Sequence, residues 1–284
     1  MLTQQIIDDT VQRALAEDTP WGDVTSELLI PSSAFAMAEL VAREAGVMAG
    51  GQVFARAFTL VDPQVEVYVL WEEGKPFEAG DVLARVKGVA RAILTGERTA
   101  LNFIQRMTGI ATHTAEYVEA IAGTKAKIVD TRKTTPGLRA FEKYAVRCGG
   151  GINHRFSLSD AVMAKDNHLA VLTRDGRDLT SELQRVRREL GHTTHLEVEV
   201  DSLSQIPAVL AAGVVDTILL DNFKLEDLRK GVDLIAGAAK VEASGGVNLT
   251  TVRAIAETGV DIISVGALTH HIRSLDLGLD VTIR

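Results

Sequence analysis

Residues 130–168, DTRKTTPGLRAFEKYAVRCGGGINHRFSLSDAVMAKDNH, concentrate the residue types that bind and transform anions. Seven cations (Arg132, Lys133, Arg139, Lys143, Arg147, Arg155 and Lys165) stand against four acids (Asp130, Glu142, Asp160 and Asp166). The stretch therefore carries +3 in a chain of formal net charge −8. A basic island in an acidic protein suits a small, multiply charged anion. Three consecutive glycines, Gly149–Gly151, would let backbone N–H groups close on such a ligand. The plainer alternative is a solvated loop with scattered charges. His154 and Arg155, just after the glycines, could act as a cationic clamp. Lys165 ends an apolar run and could bind an anion or form a Schiff base. Cys148, the single cysteine, reads as a packing residue rather than a nucleophile.

The bulk properties narrow the field. A chain of 284 residues can bury a large core and divides most naturally into two domains. The acidic balance argues against nucleic acid, which requires a broad basic face. One cysteine excludes an internal disulfide, and no Cys/His cluster has zinc spacing. No apolar run approaches the length of a membrane span, and the N-terminal segment carries acids where a signal peptide needs bases. The expectation is a soluble, cytoplasmic protein.

These residues must be held by recognisable elements. Residues 4–16 have helical apolar spacing, stopped before Pro20. Glu17, Asp18 and Asp23, around the turn at Gly22, could cap helices or bind a cation. Residues 35–90 show short alternating runs punctuated by glycine, which predict strands and hairpins. Residues 91–122 are helical, with a second helix expected from Thr114 to Ala122. Arg98 lies in the first, where an arginine ordinarily serves a solvated face or an i,i+4 pair.

From residue 126 strands and helices alternate. The strands are expected at 126–130, 161–165, 195–200, 216–221, 239–244 and 261–266, with helices at 180–190, 202–212, 225–236 and 249–258. Repeated βα units imply a parallel sheet buried on both faces, here a closed or nearly closed α/β barrel. The strands end on Asp130, Lys165, Glu199, Asp221, Ser244 and Gly266, and barrel active sites are built at such ends. The endings Ser244-Gly245-Gly246 and Val265-Gly266-Ala267 are where barrels often cradle a phosphate. Glu197 and Glu199 share a strand face and point best into the interior, beside a cation or a metal. Either could instead be a structural ion pair.

The strings EDTPWGDVTS (17–26), GERTALNFIQRMTGIAT (96–112), DTRKTTPGLRAFEKYAVRCGGGINHR (130–155), KDNH (165–168), EVEVDS (197–202), LLDNF (219–223), VEASGG (241–246) and GVDIISVGALTH (259–270) resemble the quinolinate phosphoribosyltransferase family. The resemblance implies an N-terminal β-rich, sandwich-like domain of residues 1–110 joined by 271–284, and a catalytic incomplete, TIM-like α/β barrel of residues 111–270. It implies transfer of phosphoribose from 5-phosphoribosyl-1-pyrophosphate (PRPP) to quinolinate with loss of CO2, giving nicotinate mononucleotide for NAD biosynthesis. Mg2+ would accompany PRPP. Two chains would share active sites in a homodimer, or in a hexamer built from it. By this resemblance Arg132, Arg155 and His154 hold the substrate carboxylates, with Arg98 from the neighbouring subunit and a hydroxyl from Thr131. Lys133 and Lys165 neutralise carboxylate and pyrophosphate oxygens. Glu199 and Asp221, supported by Glu197, hold ribose hydroxyls and Mg2+. Ser244, Gly245, Gly246, Val265, Gly266 and Ala267 cradle the 5-phosphate. Lys133, Lys165, Glu199 and Asp221 would be catalytic. The rival readings are a related transferase acting on nicotinate or another ring acid, a lyase working through Lys165, and a non-catalytic anion-binding module.

Overall fold

A computed structural model describes residues 2–283 of the chain. In chain order the elements begin with α1 Gln4–Asp18, α2 Val24–Leu29, β1 Phe35–Ala42, β2 Gly46–Val47, α3 Gly51–Val61, β3 Glu66–Val69, β4 Pro76–Phe77, β5 Val82–Val89 and α4 Ala90–Ala120. Then follow β6 Lys127–Val129, α5 Arg139–Cys148, β7 Ala161–Ala164, α6 Asp166–Leu172, α7 Leu179–Glu189 and β8 His195–Val200. The chain ends with α8 Ile206–Ala211, β9 Thr217–Asp221, α9 Leu225–Ile235, β10 Lys240–Ser244, α10 Val252–Ala256, β11 Ile262–Ser264, α11 Ala267–His270 and β12 Leu277–Ile283. Two compact units result: residues 2–115, 134–150 and 268–283 form one, and 116–133 with 151–267 the other.

The first unit holds an antiparallel sheet in the order β12-β1-β5-β3. Along β1 every second residue is buried, Ala36, Ala38, Leu40 and Ala42, so one face of the sheet carries the core. Helix α1 buries Ile7, Val11 and Leu15, one stripe at i,i+4 spacing. Its N-cap is Thr3, and it runs two residues beyond the expected end. Asp23 caps α2 by accepting the Ser26 N–H, which accounts for this carboxylate without a cation.

Two expectations for this region need correction. The 35–90 stretch is not strands and hairpins alone, because α3 lies within it and buries Val53, Phe54, Ala57 and Phe58. Gly50 and Gly51 at its start disguised the helical period. They are there because Gly50 has φ +97° and both N–H groups donate to the Glu73 carboxylate, at 2.9 and 2.7 Å. Helix α4 is also one helix of 31 residues rather than two. Thr112 and Thr114 resemble a break, yet their hydroxyls donate to the carbonyls of Thr108 and Ile110 one turn back, so the helix continues.

The second unit is a six-stranded parallel sheet in the order β6-β11-β10-β9-β8-β7. Its edge strands β6 and β7 do not pair with each other, the open form of an incomplete barrel. Strands such as β9, with Thr217 to Leu220 all buried, have both faces covered. The expected helix at 202–212 opens with a 3-10 turn, Leu203–Gln205, before α8. The one expected at 249–258 contracts to α10. Among the described residues no helix is long and apolar enough to cross a membrane.

Candidate active site

The basic stretch divides. Arg139, Lys143 and Arg147 lie on α5 in the first unit, whereas Arg132, Lys133, Arg155 and Lys165 belong to the second. The triple glycine has a packing cause. A Cβ on Gly149 would lie 2.3 Å from the Ala111 carbonyl oxygen, and Gly150 has φ +86°. Closeness to helix α4 therefore explains the first of these glycines without an anion. In the same unit Arg106 pairs with the buried Glu142 at 2.6 Å. Arg13, Glu17, Asp18, Asn102, Arg106 and Gly137 help line a cavity of about 590 Å3 there.

At the C-terminal ends of the parallel strands the second unit collects most of the expected ligands. After β6 come Thr131, Arg132 and Lys133, the two cations exposed. The Thr131 hydroxyl accepts the Lys133 N–H at 3.0 Å and shapes this turn. Lys165 follows β7 and donates to the Glu199 carboxylate of β8 at 2.6 Å. Asp221 ends β9 directly beside Ser244, which ends β10. Asn222, at φ +57°, donates to Asp221 at 2.7 Å through its side chain and to the Ser244 carbonyl at 2.8 Å through its N–H. Gly245 must be glycine, since a Cβ would lie 2.1 Å from the Asn222 Oδ1 and φ is +91°. Gly246, also at positive φ, has open space where a Cβ would be. Val265 is buried and its N–H donates to the Val129 carbonyl, so that N–H is already committed to the sheet. Gly266 and Ala267 follow it.

A second layer lies beneath. Asp130, fully buried, accepts the Asn153 side-chain amide at 2.6 Å and the His154 N–H at 2.9 Å. The His154 Nδ1 accepts the Arg155 N–H at 2.7 Å, so the ring proton of a neutral His154 is on Nε2. Nε2 lies 3.1 Å from Glu197 and 3.5 Å from Glu242. Burial first, and then the Glu197 charge, pushes the Glu242 carboxyl up to about 7, against the pull of His154. Arg155 donates to the Ala161 carbonyl at 3.1 Å. Burial and then the nearby Arg132 charge draw its guanidinium below the ordinary range, while Glu197 and Asp160 support the charged form. Arg98 is exposed on α4, in the first unit.

Sequence reasoning missed Glu242, Asn153 and the inward role of Asp130. The available signal was an acid inside an otherwise apolar strand, VEAS, since a buried strand excludes a carboxylate that has no task.

Two carboxylate groupings could attract a cation. Glu199 and Asp221 are partly exposed oxygen donors, which fits Mg2+, an ion that takes one or two carboxylates and keeps waters or phosphate oxygens. His154, Glu197 and Glu242 place one ligand atom each within 4.8 Å of one another. A metal-bound histidine needs a bare nitrogen, and Nδ1 already accepts an N–H, so Nε2 carries the proton and this set does not fit an ion.

An open parallel α/β sheet whose strand ends gather cations, carboxylates and a Gly-Gly turn defines an enzyme of small charged substrates. The family model described as Quinolinate phosphoribosyl transferase, C-terminal domain, matches residues 110–280, and the corresponding N-terminal domain model matches 23–108. The chain belongs to the quinolinate phosphoribosyltransferase family. It is 44% identical to the nicotinate-nucleotide pyrophosphorylase [carboxylating] of Mycobacterium leprae, over 96% of both chains. It is 42% identical to the probable enzyme of that name from Bacillus subtilis, over 94% of this chain and 90% of the relative. The crystal structure of NadC from Streptococcus pyogenes superposes with a TM-score of 0.94 at 42% identity, covering 100% of this chain and 99% of that one.

Proposed function

We infer that the chain is a decarboxylating quinolinate phosphoribosyltransferase of NAD biosynthesis, joining quinolinate and PRPP to give nicotinate mononucleotide, pyrophosphate and CO2. The observation that carries the reading is the convergence of Arg132, Lys133, Arg155, Lys165, Glu199, Asp221 and the Gly245-Gly246 turn within one unit. Quinolinate carries two adjacent carboxylates, and guanidinium forks match carboxylates in a bidentate way. Arg132, Arg155 and His154 grip them, Thr131 adds a hydroxyl, and Arg98 is supplied across a homodimer. Lys133 and Lys165 neutralise carboxylate and pyrophosphate oxygens. Glu199 and Asp221 hold ribose hydroxyls and Mg2+. When bound, the ion neutralises pyrophosphate charge. Ser244, Gly245, Gly246, Gly266 and Ala267 surround the 5-phosphate, and Val265 packs beneath them.

The ring nitrogen forms the new bond to the anomeric carbon as the carbon–oxygen bond to pyrophosphate breaks, its electron pair leaving with pyrophosphate. The carboxylate beside the nitrogen departs as CO2. Its bonding pair stays on the ring carbon, next to the cationic nitrogen, until a proton replaces it. Catalysis of this kind rests on positioning and fixed charge. Lys165 is ion-paired to Glu199, and a paired ammonium is not the free amine that Schiff-base chemistry requires. A cytoplasmic location belongs to the same reading. The test is release of labelled CO2 from quinolinate with and without PRPP. PRPP-dependent release is expected, and its absence would sink the assignment.

A further inference from the structure

We propose that Glu242 is a positioning residue for the carboxylate clamp: packed beside Glu197, which faces the His154 Nε2–H at 3.1 Å, its carboxyl lies 3.5 Å below the same ring nitrogen and thereby sets the orientation of the His154-Arg155 pair. The inference rests on the reading of that pair as a substrate clamp. Three geometric observations carry it. The His154 ring is approached from both sides, by the Arg155 N–H on Nδ1 and by Glu197 at 3.1 Å and Glu242 at 3.5 Å on Nε2. Glu197 and Glu242 come from alternate strands, β8 and β10, on either side of β9, the arrangement by which barrel interiors build a layer. Both side chains are almost wholly buried, and one oxygen of each, Glu197 Oε1 and Glu242 Oε1, has no hydrogen-bond partner.

Such a pair is expensive, since buried unsatisfied polar atoms are rare and cost stability. Apolar residues of similar size would fill this layer at lower cost. An imidazole that must be held at one angle above the layer gives the carboxylates a task. The raised Glu242 carboxyl agrees with this crowding, since burial and then the nearby Glu197 disfavour its charged form. Glu242 touches His154 and acts on substrate only through it, so it is a positioning group and not a catalytic one.

The experiment compares E242A, E242Q, H154A and the E242A/H154A double variant. Quinolinate and PRPP KM values are read from CO2 release, with histidine side-chain 15N shifts read alongside. Loss of the buried carboxyl beneath His154, or of the ring itself, predicts a quinolinate KM raised about tenfold in E242A and in H154A. The PRPP KM should stay near wild type. The double variant should be no worse than H154A, because the two residues act as one unit. E242Q keeps an acceptor and should remain within about twofold of wild type. The His154 resonances, assigned by their loss in H154A, should show a protonated Nε2 in wild type and shift in E242A. An unaltered quinolinate KM in E242A, or full additivity with H154A, overturns the proposal. Wild-type protein that releases no CO2 would overturn the functional reading instead. In that case unshifted His154 resonances in E242A would remove the positioning role independently.

Discussion

The two ends of the parallel sheet carry similar residues and treat them differently. At the N-terminal ends Asp216 accepts the Leu196 N–H at 2.7 Å and pairs with Arg187. Asp261 accepts the Val241 N–H at 3.0 Å and pairs with Lys125 at 3.0 Å. Each acid ties one strand to its neighbour and is answered by a cation. At the C-terminal ends Arg132, Lys133 and Lys165 are exposed, and two buried carboxylate oxygens beneath them lack hydrogen bonds. At the first end acids join strands within closed ion pairs; at the second the cations face solvent, Lys165 with Glu199 at its side, above carboxylates that are only partly hydrogen-bonded.

If that contrast holds, damage at the two ends has opposite signatures. The largest effect belongs to the clamp. R132A and R155A should each weaken quinolinate binding by roughly 2–5 kcal/mol, with PRPP binding and Tm little changed. Calorimetry showing unchanged quinolinate affinity in both would remove the clamp assignment. The shared-site reading makes R98A and R132A nearly inactive singly. Mixed dimers should recover ~25% of wild-type activity, because half of the dimers have one complete site of two. Recovery of nothing, with heterodimers demonstrated, would place Arg98 in its own chain's site or in structure alone.

Next in size, E199Q and D221N should lower turnover and raise the Mg2+ concentration needed for half-maximal rate. Identical Mg2+ curves in both variants would leave these acids as structural pairs.

The opposite end predicts a loss of stability without a loss of chemistry. D261A should cost about 1–3 kcal/mol, measured by denaturant unfolding, and leave kcat/KM unaltered. Its acid dependence has a definite sign. Burial raises the Asp261 carboxyl, but the Val241 N–H and then Lys125 outweigh it, so the net shift is below the ordinary 3.8. A carboxyl lowered on folding stabilises above its unfolded value, and that contribution disappears as pH falls through the folded value. Wild type should therefore lose its advantage over D261A in acid, below about pH 4. An advantage that is constant with pH would contradict the charged network.

The smallest expected effect concerns Cys148. Burial first, and then the Glu73 carboxylate, pushes its thiol up to about 12. The thiolate is the reactive form, so alkylation near neutral pH should run roughly a thousandfold slower than for a free cysteine. Rapid labelling of the folded protein would show that the thiol is not held as described.

The sequence alone determined a great deal here. Apolar runs with charged endings specify strands and the end at which chemistry is built, because a parallel strand buried on both faces tolerates charge only where it emerges. The type and order of Asp130, Arg132, Lys133, Lys165, Glu199, Asp221, Ser244 and Gly245 could be read on that basis before any fold was known. The tertiary structure decided what depends on proximity. It divided the basic stretch, sending Arg139, Lys143 and Arg147 into the first unit. It gave Gly149 to packing against Ala111. It separated Glu197 from Glu199, two residues sharing a strand face, by sinking one beside His154 and Glu242 and pairing the other with Lys165. Residues 154, 197 and 242 are far apart in the chain, and no local pattern encodes their meeting. Only the order of the sheet, which sets β8 and β10 on either side of β9, does so.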